Sequence, residues 1–600
     1  MKKRPQFSSL SGIAIAVVLS SSWGLDSVAA AEKLYNGIVL PDEWPPRAEH
    51  FTLVPMQVPY LQNPPAVILI DVGRQLFVDD FLIEHTTLAR KYHLAEYVAE
   101  NPLIKPDKPW EKKYTPTFSG GVWYDPQDQQ FKMWYSTSVG KHYHIAYATS
   151  TDGIRWDKPA LDVVPGTNIV LPFDHNASLV WLDQEEKNPQ RRFKMTVTPY
   201  LRDVHYVISG MVLFFSPDGI HWTESDAGTS WCLDRSTFFR NPFRDVWVYS
   251  LKWIVYGAAI GADGLLRIEE RAGKHWWHGA ARCLCYREHP DIAAGLGWPA
   301  GRAPGSTTDT DFLNHLLVKA AVRWTSADFL DPMRNQTTKR TGSMANESHQ
   351  PELYNLDAVA YESVMLGLFN IFHGDADGTP GSHEHMNDIT LGYSRDGFHW
   401  YRPDRRAFLG VSERRSDWNW TNVESAGGCC LIVGDKLHFY VSGGRKKPNI
   451  KTTGLGTLRR DGFVSLDAGP EPGIVVTRAV KFSGRHLFVN ADTPKGSLRV
   501  EVLTEGGQVI SPYSAENCVA VCADRTRAAV QWRGADDLAA LAGRPVRFRF
   551  ILESGRLYSF WVSASENGAS GGYVAAGGPG FTGPRDTVGK AADVEKPSRP

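Results

Sequence analysis

Ser150-Thr-Asp152-Gly153-Ile-Arg-Trp156, Ser216-Pro-Asp218-Gly219-Ile-His-Trp222 and Ser394-Arg-Asp396-Gly397-Phe-His-Trp400 are three copies of one pattern, Ser-x-Asp-Gly-x-x-Trp. Each follows an alternating apolar run: Ile145 to Thr149, Met211 to Phe215 and Ile389 to Tyr393. Asp-Gly supplies a tight turn in which glycine takes positive φ, and a Trp at fixed offset is expected to pack back on its own sheet. A second element recurs upstream. Tyr124-Asp125-Pro126 followed by Phe131-Lys-Met-Trp-Tyr135 matches Trp181-Leu-Asp183 followed by Arg192-Phe-Lys-Met195. Each unit therefore reads strand, turn, strand, loop, strand, Asp-Gly turn, strand, the four-stranded blade of a propeller.

Working outward, blades are expected near residues 115–165, 170–228, 232–300, 352–410 and 422–468. The third is degenerate, because Arg282-Cys-Leu-Cys-Tyr286 runs on to Asp291 without a Trp box. Asp71 to Glu84, containing Leu76-Phe-Val-Asp-Asp-Phe-Leu-Ile83, is expected to supply an early strand that closes or covers the ring. Gly469-Pro-Glu-Pro472 reads as a linker. Short alternating runs follow it, from Ala479–Phe482 to Leu557–Val562, with no helical period, which is the pattern of a β-sandwich. The fold expected is thus all-β, a five-bladed β-propeller followed by a C-terminal β-sandwich. Its divisions are a signal peptide over 1–31, an N-terminal extension with the ring-closing strand over 32–110, the propeller over 111–468, the sandwich over 473–563 and a disordered tail over 564–600.

Met1-Lys-Lys-Arg4, the apolar run from Ile13 to Leu19 and Ala29-Ala-Ala31 have the order of a secretory signal peptide, so export to the periplasm or exterior is expected. No later segment approaches twenty uninterrupted apolar residues, which argues against membrane insertion. The 65 Lys and Arg nearly balance the 66 Asp and Glu, so no basic excess attracts nucleic acid. Aromatic residues make up 12% of the chain, and their flat faces suit stacking on sugar rings. Seven cysteines leave at least one thiol unpaired within the chain; Cys518 and Cys522 could bridge locally, and no zinc spacing is present. The oligomeric state is left open.

A propeller gathers the starts of its innermost strands at one end of a central channel. Asp234 and Arg235 precede Phe238-Phe239, Tyr354-Asn355-Leu-Asp357 precede Ala358-Val-Ala360, Glu424 precedes Ala426-Gly-Gly428, and blade two offers His175-Asn176 at the matching place. Asp234, Asp357 and Glu424 are the candidate catalytic carboxylates, because like charges in a partly desolvated pit raise at least one pKa and create an acid beside a base. Arg235, His175, Asn176, Tyr354, Asn355, Trp418, Trp420 and His373 are the candidate substrate-binding residues. His383-x-His385 suits a loop as well as a ligand set, so no metal and no cofactor is expected.

Blades with these turns, a leading export segment and a trailing sandwich resemble the five-bladed propeller glycosidases of glycoside hydrolase families 32, 43 and 68, over roughly residues 70 to 560. The resemblance implies three acidic residues on inner strands and hydrolysis of an extracellular glycan by carboxylate acid and base chemistry. Two family motifs are replaced: Thr117-Phe-Ser-Gly-Gly121 stands where family 32 has Asn-Asp-Pro-Asn, and His175-Asn-Ala177 stands where Arg-Asp-Pro is expected. The alternative is a non-catalytic carbohydrate-binding propeller in which the aromatics stack on sugar and the acids bind hydroxyls.

Overall fold

The computed structural model describes residues 31–592 apart from 141, 200–208, 228–230, 256–257, 269–280, 298–320, 333–350, 376–384 and 445–449. The described chain is almost entirely β, in sheets that are antiparallel except for the two-stranded pairing of Ile68–Leu69 with Val480–Lys481, and none closes into a barrel. Five sheets follow one another along the chain. The first holds Val122–Asp125, Gln130–Val139, His142–Ser150 and Ile169–Leu171. The second holds His175–Leu182, Phe193–Pro199, Val212–Ser216 and Thr223–Glu224. The third holds Thr237–Asn241, Val246–Val255, Ala281–His289 and Val322–Ser326. The fourth pairs Glu352–Glu362, Val364–Asp375 and His385–Ser394, and the fifth pairs Val423–Ser425 and Leu431–Val433 with Lys436–Gly443, then Thr452–Arg459.

Neighbouring sheets touch in a closed sequence. Val180 N donates to Gly120 O at 2.8 Å between the first two, and Trp181 meets Trp247 edge-on at 5.9 Å between the second and third. Thr237 Oγ1 donates to Leu356 O at 2.7 Å between the third and fourth, and Asn370 Nδ2 to Ser425 Oγ at 3.0 Å between the fourth and fifth. Val122 N donates to Gly427 O at 3.1 Å, joining the fifth to the first. The buried apolar residues of all five form one continuous core.

The repeated turns share one bonding scheme. In each the Ser Oγ accepts from the Gly N at 2.8 to 2.9 Å, and the Asp Oδ1 accepts from the two residues after the glycine. The Trp expected to pack back on its own sheet does so at Trp400, which meets Phe369 edge-on at 5.6 Å, whereas Trp156 meets Tyr440 of the fifth sheet at 5.6 Å; the turns themselves dock on a neighbouring sheet. Tyr440 Oη of the fifth sheet donates to Gly153 O at 2.6 Å, and Trp134 Nε1 of the first donates to Gly219 O at 2.8 Å. A Cβ on Gly219, whose φ is +84°, would stand 2.5 Å from the Trp134 ring, so both backbone angle and contact demand glycine there.

Two further sheets face each other around a second core that includes Phe77, Phe482, Phe548, Phe550 and Phe560. One orders Asp524–Ala529, His486–Asp492, Gly555–Ser563, Val464–Ala468 and Ala89–Tyr92, with Gln75–Leu76 also on Gly555–Ser563. The other orders Ser497–Leu503, Arg547–Glu553, Gly473–Thr477 and Ile83–Thr86. The segment Asp71 to Glu84 therefore belongs to this sandwich-like pair, where its apolar face is covered by the Phe cluster. The strand that completes the fifth sheet is instead Glu96–Tyr97, paired with Gly456 and Thr457.

The end of the chain is also tied down through residue 592. Tyr573–Val574 adds to the fourth sheet beside Tyr361 and Glu362, and Asp586 joins a fully buried set of charges with Arg74, Glu362, Arg460 and Asp461. A disordered tail over 564–600 is thus corrected for residues 564–592, whose glycines permit close packing rather than freedom: a Cβ on Gly572 would stand 2.2 Å from Glu362 Oε2. No disulfide joins any of the seven cysteines; Cys518 is buried and Cys522 exposed, so the local bridge that those two could have made is not formed.

Candidate active site

The tight segment before Thr237–Asn241 places the first charges. Ser236 Oγ donates to Leu233 O at 2.9 Å and accepts from Lys252 N at 3.0 Å, while Arg235 adopts φ +64°. Few side chains favour that conformation, and strain of this kind concentrates at functional sites. The geometry aims Asp234 at Lys252, whose Nζ donates to Asp234 Oδ1 at 3.0 Å and sits 4.1 Å from the Tyr354 ring centre. Tyr354 stacks between Phe118 and Phe372, each at 6.1 Å, making a three-ring wall. The Arg235 guanidinium lies 4.3 Å over Phe118, and that of Arg282 4.6 Å over Phe372 while its Nη1 donates to Glu352 Oε2 at 2.6 Å.

Burial acts to raise the pKa of the Asp234 carboxyl, but Lys252, Arg235 and Arg282 outweigh it and hold the carboxyl below the usual carboxylate range. Glu424, from the fifth sheet, accepts from Lys451 Nζ at 3.2 Å, and that ammonium lies 5.6 Å from the Tyr114 ring centre. Burial opposes the charge on Arg235, and Tyr354, Tyr114, Glu424 and Asp234 together sustain it. One guanidinium thus stands in the field of two carboxylates contributed by different sheets. His175 is buried and lowered to about 4, chiefly by burial, so its ring is neutral; it bonds Ser136 Oγ at 3.1 Å and the carbonyls of Tyr143 and Phe173.

Asp357 occupies a separate, sealed network. Its Oδ2 accepts from Ser425 Oγ and from Asn355 Nδ2, and Asn370 Nδ2 bridges Asn355 Oδ1 and Ser425 Oγ. Its carboxyl is pushed up to about 7 by burial, against hydrogen bonds from Ser425 and Asn355. The mechanism expected from the sequence, repulsion between neighbouring carboxylates, is corrected here: no acidic group contributes to this shift. Asp357 sits beneath the strand starts that carry Glu424 and Tyr354, being adjacent to Ser425 and Asn355 rather than to the charges above.

Other expected binding residues lie elsewhere. Trp418 covers the fifth sheet, where a Cβ on Gly443 or Gly454 would stand 2.3 Å from its ring, and it meets Tyr97 edge-on at 5.3 Å. Trp420 is buried under Arg415, 5.1 Å from its ring centre. His373 Nε2 lies 3.1 Å from Asp388 Oδ1 within the fourth sheet. Asn176 follows His175 on its strand and is half-buried. Lys252, Arg282, Glu352, Lys451, Phe118 and Phe372 were not reached from the sequence. Lys252 carried a clue, being the one charge inside the otherwise uncharged Val246–Val255.

Among the described residues no group of three or more His, Cys, Asp or Glu is placed to hold a metal ion, and His383 and Glu384 lie outside them. A cavity of about 950 Å³ lies at the edges of the third and fourth sheets, lined in part by Trp324, Trp400, Arg402 and Arg405, and contains none of the candidate catalytic or substrate-binding residues.

No family model matches the chain, and no curated protein does. Among solved structures it is similar to a glycosyl hydrolase from Bacteroides ovatus, at 12% identity and TM-score 0.35, covering 64% of this chain and 97% of that one. It is similar also to an N-acetylgalactosamine deacetylase from F. plautii in complex with blood group B trisaccharide, at 13% identity and TM-score 0.35 over 66% and 97%. A thermostable family-43 glycoside hydrolase aligns at 12% identity and TM-score 0.33 over 58% and 95%. Scores this low assign no role to any residue here.

Proposed function

We propose that the five successive sheets form a five-bladed propeller and that the chain is an exported glycoside hydrolase acting on an extracellular glycan. The observation that carries the reading is the convergence of Asp234 and Glu424, from different sheets, on the Arg235 guanidinium beside the Phe118–Tyr354–Phe372 wall. Two carboxyl groups are what glycosidic cleavage requires. Asp234, held ionised by Lys252, is the base; Glu424 is the proton donor. Asp357 is a positioning residue that fixes the strand starts bearing Glu424 and Tyr354 through Ser425 and Asn355.

A second reading, binding without cleavage, is favoured by one specific observation. Lys252 and Lys451 each engage one of the two carboxylates, an arrangement of ion pairs that a binding surface can use without proton transfer. Turnover of a glycan library by the mature protein, beside Asp234→Asn and Glu424→Gln, separates the two. Losses of roughly 10²- to 10⁴-fold in kcat with unchanged melting support hydrolysis. Glycan binding without turnover supports the second reading, and neither binding nor turnover rejects both.

A further inference from the structure

Three of the four cations around the aromatic wall already hold a carboxylate: Lys252 holds Asp234 at 3.0 Å, Arg282 holds Glu352 at 2.6 Å and Lys451 holds Glu424 at 3.2 Å. Arg235 differs. No carboxylate lies within 4 Å of it among the described residues, and its guanidinium has no hydrogen-bond acceptor there. Its Nε is buried and unpartnered, one face rests on Phe118 at 4.3 Å, and its backbone is held at φ +64°. Buried polar groups in folded proteins are nearly always bonded, and an arginine fork matches the two oxygens of a carboxylate or sulfate. A side chain pinned by stacking and by a constrained backbone, with no acceptor for its donors among the described residues, is preorganised for a ligand oxyanion.

From this we infer that the glycan bears an anionic group, a uronate carboxylate or a sulfate ester on the sugar ring, received by Arg235. The inference rests on the glycan reading above and narrows it. Asp234 and Glu424 do not forbid such a ligand, because each already faces a lysine of its own.

The test is calorimetric titration of the intact protein with three sets of oligosaccharides matched in length: uronate-containing, sulfated and neutral. Anionic sets are expected to bind roughly 10- to 100-fold more tightly than neutral ones, the span of a charge-assisted hydrogen-bonded pair, with affinity falling as salt rises. Whichever anionic set wins identifies the source of the oxyanion. Arg235→Asn tolerates the left-handed backbone and should abolish the preference while keeping residual binding of neutral sugar. Arg235→Lys keeps the charge without the fork and should retain only part of it. Neutral sugars binding as well as anionic ones, or a preference that survives Arg235→Asn, would overturn the inference while leaving the glycan reading intact. No binding of any set would instead remove the glycan reading itself.

Discussion

Replacing Asp357 by Asn tests the sealed network beneath the strand starts. The carboxyl is 3% exposed, and its pKa rises from 3.8 to about 7 because burial penalises its charge. A folded-state pKa above the unfolded one means the native protein keeps a proton that the unfolded chain has released. The cost of Asp357 is therefore absent at acid pH, grows as pH rises past the unfolded value near 3.8 and levels off above about 7. Linkage over roughly 3 units makes that cost about 2 kcal/mol at pH 5 and about 4 kcal/mol at pH 8. Asn keeps the oxygen that accepts from Ser425 and Asn355, and puts an uncharged group where Oδ1 has no partner. Denaturant unfolding of both proteins at pH 5 and pH 8 should thus show the Asn variant gaining on wild type by about 2 to 3 kcal/mol between the two. A difference that stays constant with pH would refute the buried, cation-free setting ascribed to this carboxyl.

Gly219→Ala should cost about 1 to 3 kcal/mol, since it forces a Cβ against Trp134 at positive φ; Gly434→Ala, at φ +60° with nothing within 4 Å, should cost only about 1 kcal/mol, and thermal melts of the two compare turn docking with backbone strain alone. Arg74→Met leaves Glu362 and Asp461 without one of their cations in a fully buried setting and should destabilise by about 3 to 5 kcal/mol in the same assay, whereas a loss under 1 kcal/mol would show that Arg460 suffices.

The sheet architecture was legible where local chemistry repeats. Ser-x-Asp-Gly-x-x-Trp prescribes a turn by its own hydrogen bonds, so three of the five sheets announce themselves without knowledge of their neighbours. What each turn docks on was not legible, because Trp134 and Tyr440 enter from another sheet. The same limit hid the second role of Asp71 to Glu84, whose Leu76 and Val78 cover the five-sheet core while Phe77 enters the other: apolar alternation says that a strand has a buried face, not which distant strand covers it. Composition misled at the C-terminus, where glycines read as freedom serve close approach around Glu362. Strand starts led to Asp234, Arg235, Tyr354 and Glu424, which the structure joins through Lys252 and the field at Arg235. Lys252 and Arg282 were passed over because they lie inside strands, and Trp418 was over-read because nothing in the sequence shows the two glycines it covers.

The sandwich-like pair takes strands from both ends of the described chain: Thr86 Oγ1 bonds Ile474 O, 388 residues onward. During vectorial synthesis the early strands would emerge with their apolar faces uncovered and wait until most of the polypeptide has been made. Such delayed pairing favours slow maturation and leaves sticky intermediates exposed to aggregation. Yield on heterologous production should then depend more on chaperone supply than on the stability of the finished molecule.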